Sequence, residues 1–422
     1  MPRVIRQIAL TAGTRVGLTL FGLATSIVTA RFLGQSGRGD YFFMVTLAAL
    51  IVQFANLGLP ASNTFFAARD PQRTPQLVAN AFWVSLGVGG GLGVGVALFA
   101  HAAGTLQDTP SLYLWLAAAL ALPSLFYLLA TGIFVGRGQI RSFNAVEFAV
   151  RAVLLPVLVG AGLLGASATG FIAVSIAVWV AGGAAAAALL GRYAQLSLAP
   201  SLELLVIGFR YATKSYLITL FAFIALRGNI FLLRREFGPA DLGLYSIAAQ
   251  IGDVLTILPQ AVGLILFPHL VRDASARWQR TLRAALWVSA IMIVVCALTA
   301  IFAGPAIRLL YGDSFGPSTR VLQIMLPSVF SLAVASVLSQ YLAAIGLPRP
   351  LLGVWGAGVA LVLALSVALI PDHGAAGAAA ALSIGNTAVL VGIAVTGYLY
   401  RDAKPRGPAE LRPQADASAT GN

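Results

Sequence analysis

Apolar runs of 19 to 27 residues, parted by short polar or charged breaks, recur along almost the whole chain. A helix rises 1.5 Å per residue, so a run of this length covers the roughly 30 Å hydrocarbon core of a bilayer. The runs fall at 8–30, 41–67, 78–103, 111–135, 147–165, 168–190, 206–232, 242–268, 283–305, 319–345, 351–370 and 375–399. They predict an all-α membrane protein with twelve transmembrane helices. The first run is longer than the apolar region of a secretory leader, and no small-x-small cleavage site precedes Arg31, so it is expected to remain as a span.

The breaks repeat. Arg31, Gly34, Gly39 and Tyr41 in RFLGQSGRGDY match Arg235, Gly238, Gly243 and Tyr245 in REFGPADLGLY, each pair 204 positions apart. Leu122 to Phe126 meets Leu326 to Phe330 at the same offset, and Gly138-Gln-Ile-Arg141 meets Gly346-Leu-Pro-Arg349 four residues later. A duplication of six spans keeps the direction of membrane entry, so the expectation is two parallel-repeat six-helix lobes around a central cavity. The lobes would be 1–200 and 206–400, with 201–205 ending a linker that Ala199-Pro200-Ser201 keeps from being helical. Residues 401–422, rich in Pro, Ala and charge, are expected to be a disordered cytoplasmic tail.

Composition agrees with the pattern. Hydrophobic residues make up 59% of the chain and charged residues 10%, and the mean hydropathy is +0.89, which leaves no room for a soluble catalytic domain. One cysteine, Cys296, lies inside an apolar run, so no disulfide framework exists. The net charge of +13 is spread over the breaks instead of clustering with aromatics, which argues against nucleic acid as a partner. With the N-terminus inside, sixteen Arg and Lys fall in cytoplasmic segments, against Arg31, Arg38, Arg234, Arg235, Arg308 and Arg320 outside. This bias places both termini in the cytoplasm and makes anionic membrane lipids the default partners of the loops.

Several motifs have a bland reading that prevails. Gly87, Gly91 and Gly95 form a small-xxx-small ridge, whose first reading is close approach of a neighbouring helix. GFRYATKS (208–215) imitates a phosphate loop, but Thr213 replaces a required glycine and no strand precedes it. His101, His269 and His373 are too scattered for a metal site, and neither metal nor cofactor is expected. Prolines 60, 123, 156, 259 and 327 fall within spans, where they kink or break helices.

Charges inside spans are more informative, because a basic residue at a helix centre costs roughly 2.5 to 3.5 kcal/mol and usually faces a partner or a wet cavity. They are Arg15, Glu147, Arg151, Arg210, Lys214, Arg227 and Asp253, five basic and two acidic. Arg15 shares a helical face with Thr11, Thr19, Gly22, Ser26 and Thr29, a stripe expected to line a cleft. Arg210 and Lys214 share a face at the start of span seven, and either line the cavity or snorkel to the surface. Glu147 and Arg151, at i and i+4, either neutralise each other or serve the cavity. If these groups face one chamber, its basic excess suits a phosphate or diphosphate, which Arg binds in bidentate fashion, and disfavours a cationic drug.

The segments ARFLGQSGRGDYFF, QFANLGLPASNTFFAARD, GFRYATKSYL, ALRGNIFLLRREFGPADLGLYSIAAQ and LPQAVGLILFPHLVRD together resemble the lipid-linked oligosaccharide flippases of O-antigen and exopolysaccharide pathways. These belong to the multidrug, oligosaccharidyl-lipid and polysaccharide exporter superfamily. The resemblance implies an inner-membrane protein of bacteria, not an enzyme, that moves an undecaprenyl-diphosphate-linked glycan to the periplasmic leaflet by alternating access. Partner polymerases and glycosyltransferases would accompany it. It also implies that Arg15, Arg210, Lys214 and Arg227 are substrate-binding, with Asn229 where the family commonly carries aspartate. Glu147 and Asp253 are then the candidates for ion coupling. Peptidoglycan-precursor flippases carry two further C-terminal spans not found in this sequence, so the resemblance is to the exopolysaccharide and O-antigen branch. Two other functions stay open: a multidrug or cation antiporter, which needs acidic cavity groups, and a membrane glycan polymerase or ligase, which needs a catalytic outer loop.

Overall fold

The structure is a computed structural model that describes the backbone of residues 2–102, 109–192, 197–273 and 276–402; the side chains at 2–12, 14–16 and 264 lie outside the described set. Of the tail expected at 401–422, only 401 and 402 are described. All regular structure among the described residues is helical. The first part runs α1 (Pro2–Ala55), α2 (Leu59–Arg69), α3 (Thr74–Trp83), α4 (Gly90–Ala102), α5 (Ser111–Gly136), α6 (Ile140–Leu163) and α7 (Ala168–Gly191). The second runs α8 (Leu202–Arg227), α9 (Asn229–Leu255), α10 (Ile257–Arg272), α11 (Arg277–Tyr311), α12 (Ser318–Ala344) and α13 (Arg349–Leu399). A π-helical turn, Val84–Gly89, joins α3 to α4.

Among the described residues, nine helical stretches are long and apolar enough to cross a membrane, so this is a multi-pass membrane protein. Three of them are unusually long: Gly17–Ala55, Leu202–Arg272 and Arg349–Leu399. Each is interrupted by one glycine with non-helical torsions: Gly34 (φ 64°, ψ −173°), Gly238 (φ 75°, ψ −165°) and Gly374 (φ 54°, ψ −132°). Gly34 and Gly238 occupy a region of backbone space that residues with a Cβ hardly enter, so the chain turns there only because these positions are glycine.

The repeat read from the sequence is visible in these torsions. Gly34 and Gly238, 204 apart, adopt nearly the same conformation. Gly138 and Gly346 both have positive φ beyond the ends of α5 and α12. A further pair, Gly165 and Gly374, also has positive φ, and its spacing of 209 shows that the offset drifts along the chain. α5 and α12 hold matching places, each the buried helix at the centre of its half, with Leu125, Leu129 and Ile133 in one and Leu322, Val337 and Leu342 in the other. Lipid does not drive apolar faces together, so these contacts hold by close packing.

Two of the five prolines lie next to breaks. Pro60 opens α2 after Gly58 (φ 75°), where its missing N–H is an orphan in any helix. Pro259 lies in the first turn of α10, beyond the break at Thr256. Pro123, Pro156 and Pro327 stay inside continuous helices.

Candidate functional site

At the end of the molecule marked by Gly34 and Gly238, the two halves meet backbone to backbone. A Cβ on Gly39 would strike the carbonyl of Pro239, and one on Gly243 would strike the carbonyl of Gln35. Since 35 and 239 are themselves equivalent positions, each half makes the same contact on the other. Charged and hydroxyl side chains surround this seam. Arg38 is buried and donates to Thr29 Oγ1 (2.6 Å), Ser246 Oγ (3.1 Å) and Ser26 Oγ (3.2 Å), while Tyr311 donates to Ser26 Oγ (3.4 Å). Arg234, 5% exposed, reaches Asp40, 16% exposed, at 2.5 Å. That pair lacks the alignment of a hydrogen bond, and Asp40 accepts one from the Tyr113 hydroxyl (3.3 Å). Arg31 donates to the carbonyls of Leu309 and Leu310 at the end of α11, and Gln35 to the carbonyl of Ser314.

The sequence alone places Arg38 and Arg234 among the loop charges. They are buried because the helix resumes directly after each glycine turn, placing Arg38 and Asp40 in the first turns of a helix that enters the protein. Their position inside the repeated motif was the available signal. The stripe on α1 ends here too: Ser26 and Thr29 close on Arg38, and a Cβ on Gly22 would come to 3.8 Å from Gln250 Nε2. The stripe therefore faces the other half, as expected, but its upper end is sealed instead of lining an open cleft. Arg15, farther down the same stripe, falls outside the described side chains.

A cavity of about 330 Å³ lies in the second half, between α8, α9, α10, α12 and α13. Its polar wall includes Arg227, Asp253, Thr256, Gln260, Ser336 and Ser339, with Trp355 on the apolar side. Arg227 (14% exposed) donates to Asp253 Oδ2 (45% exposed) at 2.5 Å, and its guanidinium lies 6.0 Å from the Phe42 ring of the first half. It thus stands at the seam with one face on the partner half. Asp253 is the more accessible member of the pair.

The other predicted site residues are placed differently. Asn229 is 1% exposed, donates to the Ala378 carbonyl (3.2 Å) and pairs with the Tyr245 hydroxyl (3.3 Å); it braces α9 on α13 and is not in the cavity wall. Arg210 and Lys214 are exposed near the start of α8. At 3.6 residues per turn, Arg227 lies about 140° around the helix from Lys214, so the three bases do not form one face. Among the described lining residues the cavity holds one Arg and one Asp, a balanced pair where the sequence suggested a basic excess.

Glu147 and Arg151 do not form an ion pair among the described residues. Instead Glu147 Oε2, both amide atoms of Asn144 and the Tyr127 hydroxyl are buried without hydrogen-bond partners. Asn144 and Glu147 lie one turn apart on α6, and Tyr127 of α5 packs edge-on against Trp179 of α7 at 5.1 Å. Unpartnered buried polar atoms are costly, and a water, a proton or a small polar ligand can each relieve that cost.

The glycine ridge also departs from expectation. Gly89, Gly90 and Gly93 meet Leu122, Leu125 or Ala118 of α5, but a Cβ on Gly87, Gly91 or Gly95 meets nothing within 4 Å. The ridge is open on that side and does not serve helix approach.

The family model of polysaccharide biosynthesis proteins matches residues 4–273, well over half of the chain. No curated protein matches the sequence. Among solved structures, an inward-facing multidrug resistance MATE family transporter of the MOP superfamily is similar at 19% identity and TM-score 0.71, over 93% of this chain and 98% of that one. An outward-facing MATE structure gives 19% and 0.63, over 94% and 96%. The lipid II flippase MurJ, inward closed, gives 14% and 0.69, over 93% and 87%. The chain therefore belongs to the polysaccharide biosynthesis protein family and has the helical transporter fold of the MOP superfamily.

Proposed function

We propose that this protein is a flippase carrying an undecaprenyl-diphosphate-linked oligosaccharide from the cytoplasmic to the periplasmic leaflet of the bacterial inner membrane. Each of the three long helical stretches, folded back at one glycine, counts as two crossings, which gives twelve spans in lobes 1–200 and 206–400. The Gly34/Gly238 end is then periplasmic and both termini cytoplasmic. The higher likeness to an inward-facing transporter supports that orientation, since the seam is closed at this end.

The observation that carries the cargo assignment is Arg227 at the seam, held by an accessible carboxylate and flanked by Phe42. Arg presents a planar fork that fits phosphate oxygens better than a lone carboxylate oxygen, so a diphosphate displaces Asp253 from Arg227. The freed Asp253 then takes up a proton or cation, and the exchange ties binding to coupling. Glu147, already unpartnered beside Asn144, is the second coupling group. Arg210 and Lys214, together with Arg15, draw the headgroup in from the cytoplasmic surface. No covalent step is involved, and polymerases and glycosyltransferases act before and after.

Likeness to multidrug transporters and the accessible Asp253 favour cationic drug transport as a rival reading. Liposomes containing the full-length protein decide between them. Translocation of a labelled prenyl-diphosphate glycan, lost in Arg227→Ala, supports the flippase. Drug accumulation that survives Arg227→Ala and disappears in Asp253→Asn, without glycan movement, refutes it.

A further inference from the structure

We propose that the apolar groove between α1, α4 and α9 is a binding site for one anionic phospholipid, with its acyl chain on Gly91 and Gly95 and its phosphate on Arg235. The groove has a volume of about 610 Å³ and shares no lining residue with the cavity at Arg227. Leu47 of α1, Phe99 of α4 and Phe231 of α9 wall it, and Gly91 and Gly95 leave its floor bare. A helix climbs about 12 Å from Gly91 to Phe99 and about 10 Å from Gly228 to Arg235, so the groove runs from membrane depth to the headgroup level.

Two features select the occupant. The bare floor lets a hydrocarbon chain touch backbone atoms, which is where packing, the main attraction available inside a bilayer, is gained. Arg235 is the one charged residue in the described lining, and its side chain is 62% exposed at the mouth. Glu236 forms an ion pair with it at 3.6 Å, beyond hydrogen-bond distance, so a phosphate competes with that carboxylate for the guanidinium N–H groups. Because α1 and α4 belong to one half and α9 to the other, a chain lodged here wedges the seam between them.

The test uses full-length protein in detergent titrated with phosphatidylglycerol or phosphatidylcholine and read by native mass spectrometry. Wild type should bind phosphatidylglycerol about fivefold more tightly, the effect of one Arg on an anionic headgroup. Arg235→Gln should remove that preference while keeping chain binding. Gly95→Leu should lose both lipids, whereas Gly87→Leu, equally free of neighbours but outside the groove, should bind as wild type and serves as the folding control. Equal binding of the two lipids by wild type, unchanged binding in Gly95→Leu, or displacement of phosphatidylglycerol by a prenyl phosphate at this site would each overturn the proposal.

Discussion

Replacing Asp40 by Asn should force the closed seam apart. Asp40 and Arg234 belong to different halves, meet at 2.5 Å and are nearly removed from solvent, at 16% and 5% exposure. Removing one partner of a buried ion pair leaves the other charge uncompensated, at about 3 to 5 kcal/mol. In the open state the same guanidinium reaches water, so the penalty falls on the closed state alone. Even the lower bound shifts the closed-to-open ratio about a hundredfold, at about 1.4 kcal/mol for each power of ten. Closure can be read by crosslinking Gln35→Cys to Ser314→Cys, two positions in contact across the seam, with Cys296 replaced by Ala. Asp40→Asn should crosslink slowly and weakly. Asp40→Leu with Arg234→Met, which removes both charges, should recover most of the closed population. If Asp40→Asn crosslinks like its parent, or the double variant fails to recover, the pair does not hold the seam.

Gly39→Ala and Gly243→Ala each drive a methyl into a carbonyl of the other half and should abolish crosslinking at the same pair of cysteines. Gly34→Ala and Gly238→Ala meet no such obstacle and should instead lower thermal stability by about 1 to 3 kcal/mol through backbone strain, measurable by thermal unfolding in detergent. Arg73→Ala breaks an ion pair with Asp70 that is 41% and 43% exposed, and should change stability by less than about 1 kcal/mol in the same assay. Glu147→Gln should preserve lipid-diphosphate binding to detergent-solubilised protein yet abolish the response of transport in liposomes to an imposed ion gradient; an unchanged response removes Glu147 from coupling.

The helical architecture was legible because hydrophobic run length is set by bilayer thickness, and the glycine spacing because a turn without Cβ admits little else. Gly34 and Gly238 stand out as a repeat in the sequence alone, and their torsions agree. The Gly165 and Gly374 pair was missed because intervening insertions had shifted the offset to 209. Site residues were harder. Arg227 and Asp253 lie 26 positions apart and were noted singly, but their pairing depends on how α8 and α9 pack, which no periodicity within either helix encodes. Arg38 and Arg234 read as surface charges in the sequence because they lie in the breaks between apolar runs, whereas the packing of the two halves buries them. Asn229 looked like a site residue through family resemblance, yet its amide is occupied by Tyr245 and Ala378.

The mutual approach of residues 35–39 and 239–243 has a historical consequence. Two identical chains of half this length, inserted side by side, would meet through a self-complementary patch in which residue i touches j and j touches i, as in any twofold dimer. The present contact retains that form although most of its surroundings have diverged: Arg38 now corresponds to Leu242 and Asp40 to Leu244. The two copies have since specialised: the first supplies Arg38 and Asp40 at this patch, the second Ser246 and Arg234. Gly39 and Gly243 are the positions of this twofold-like contact that neither copy can alter without parting from its twin.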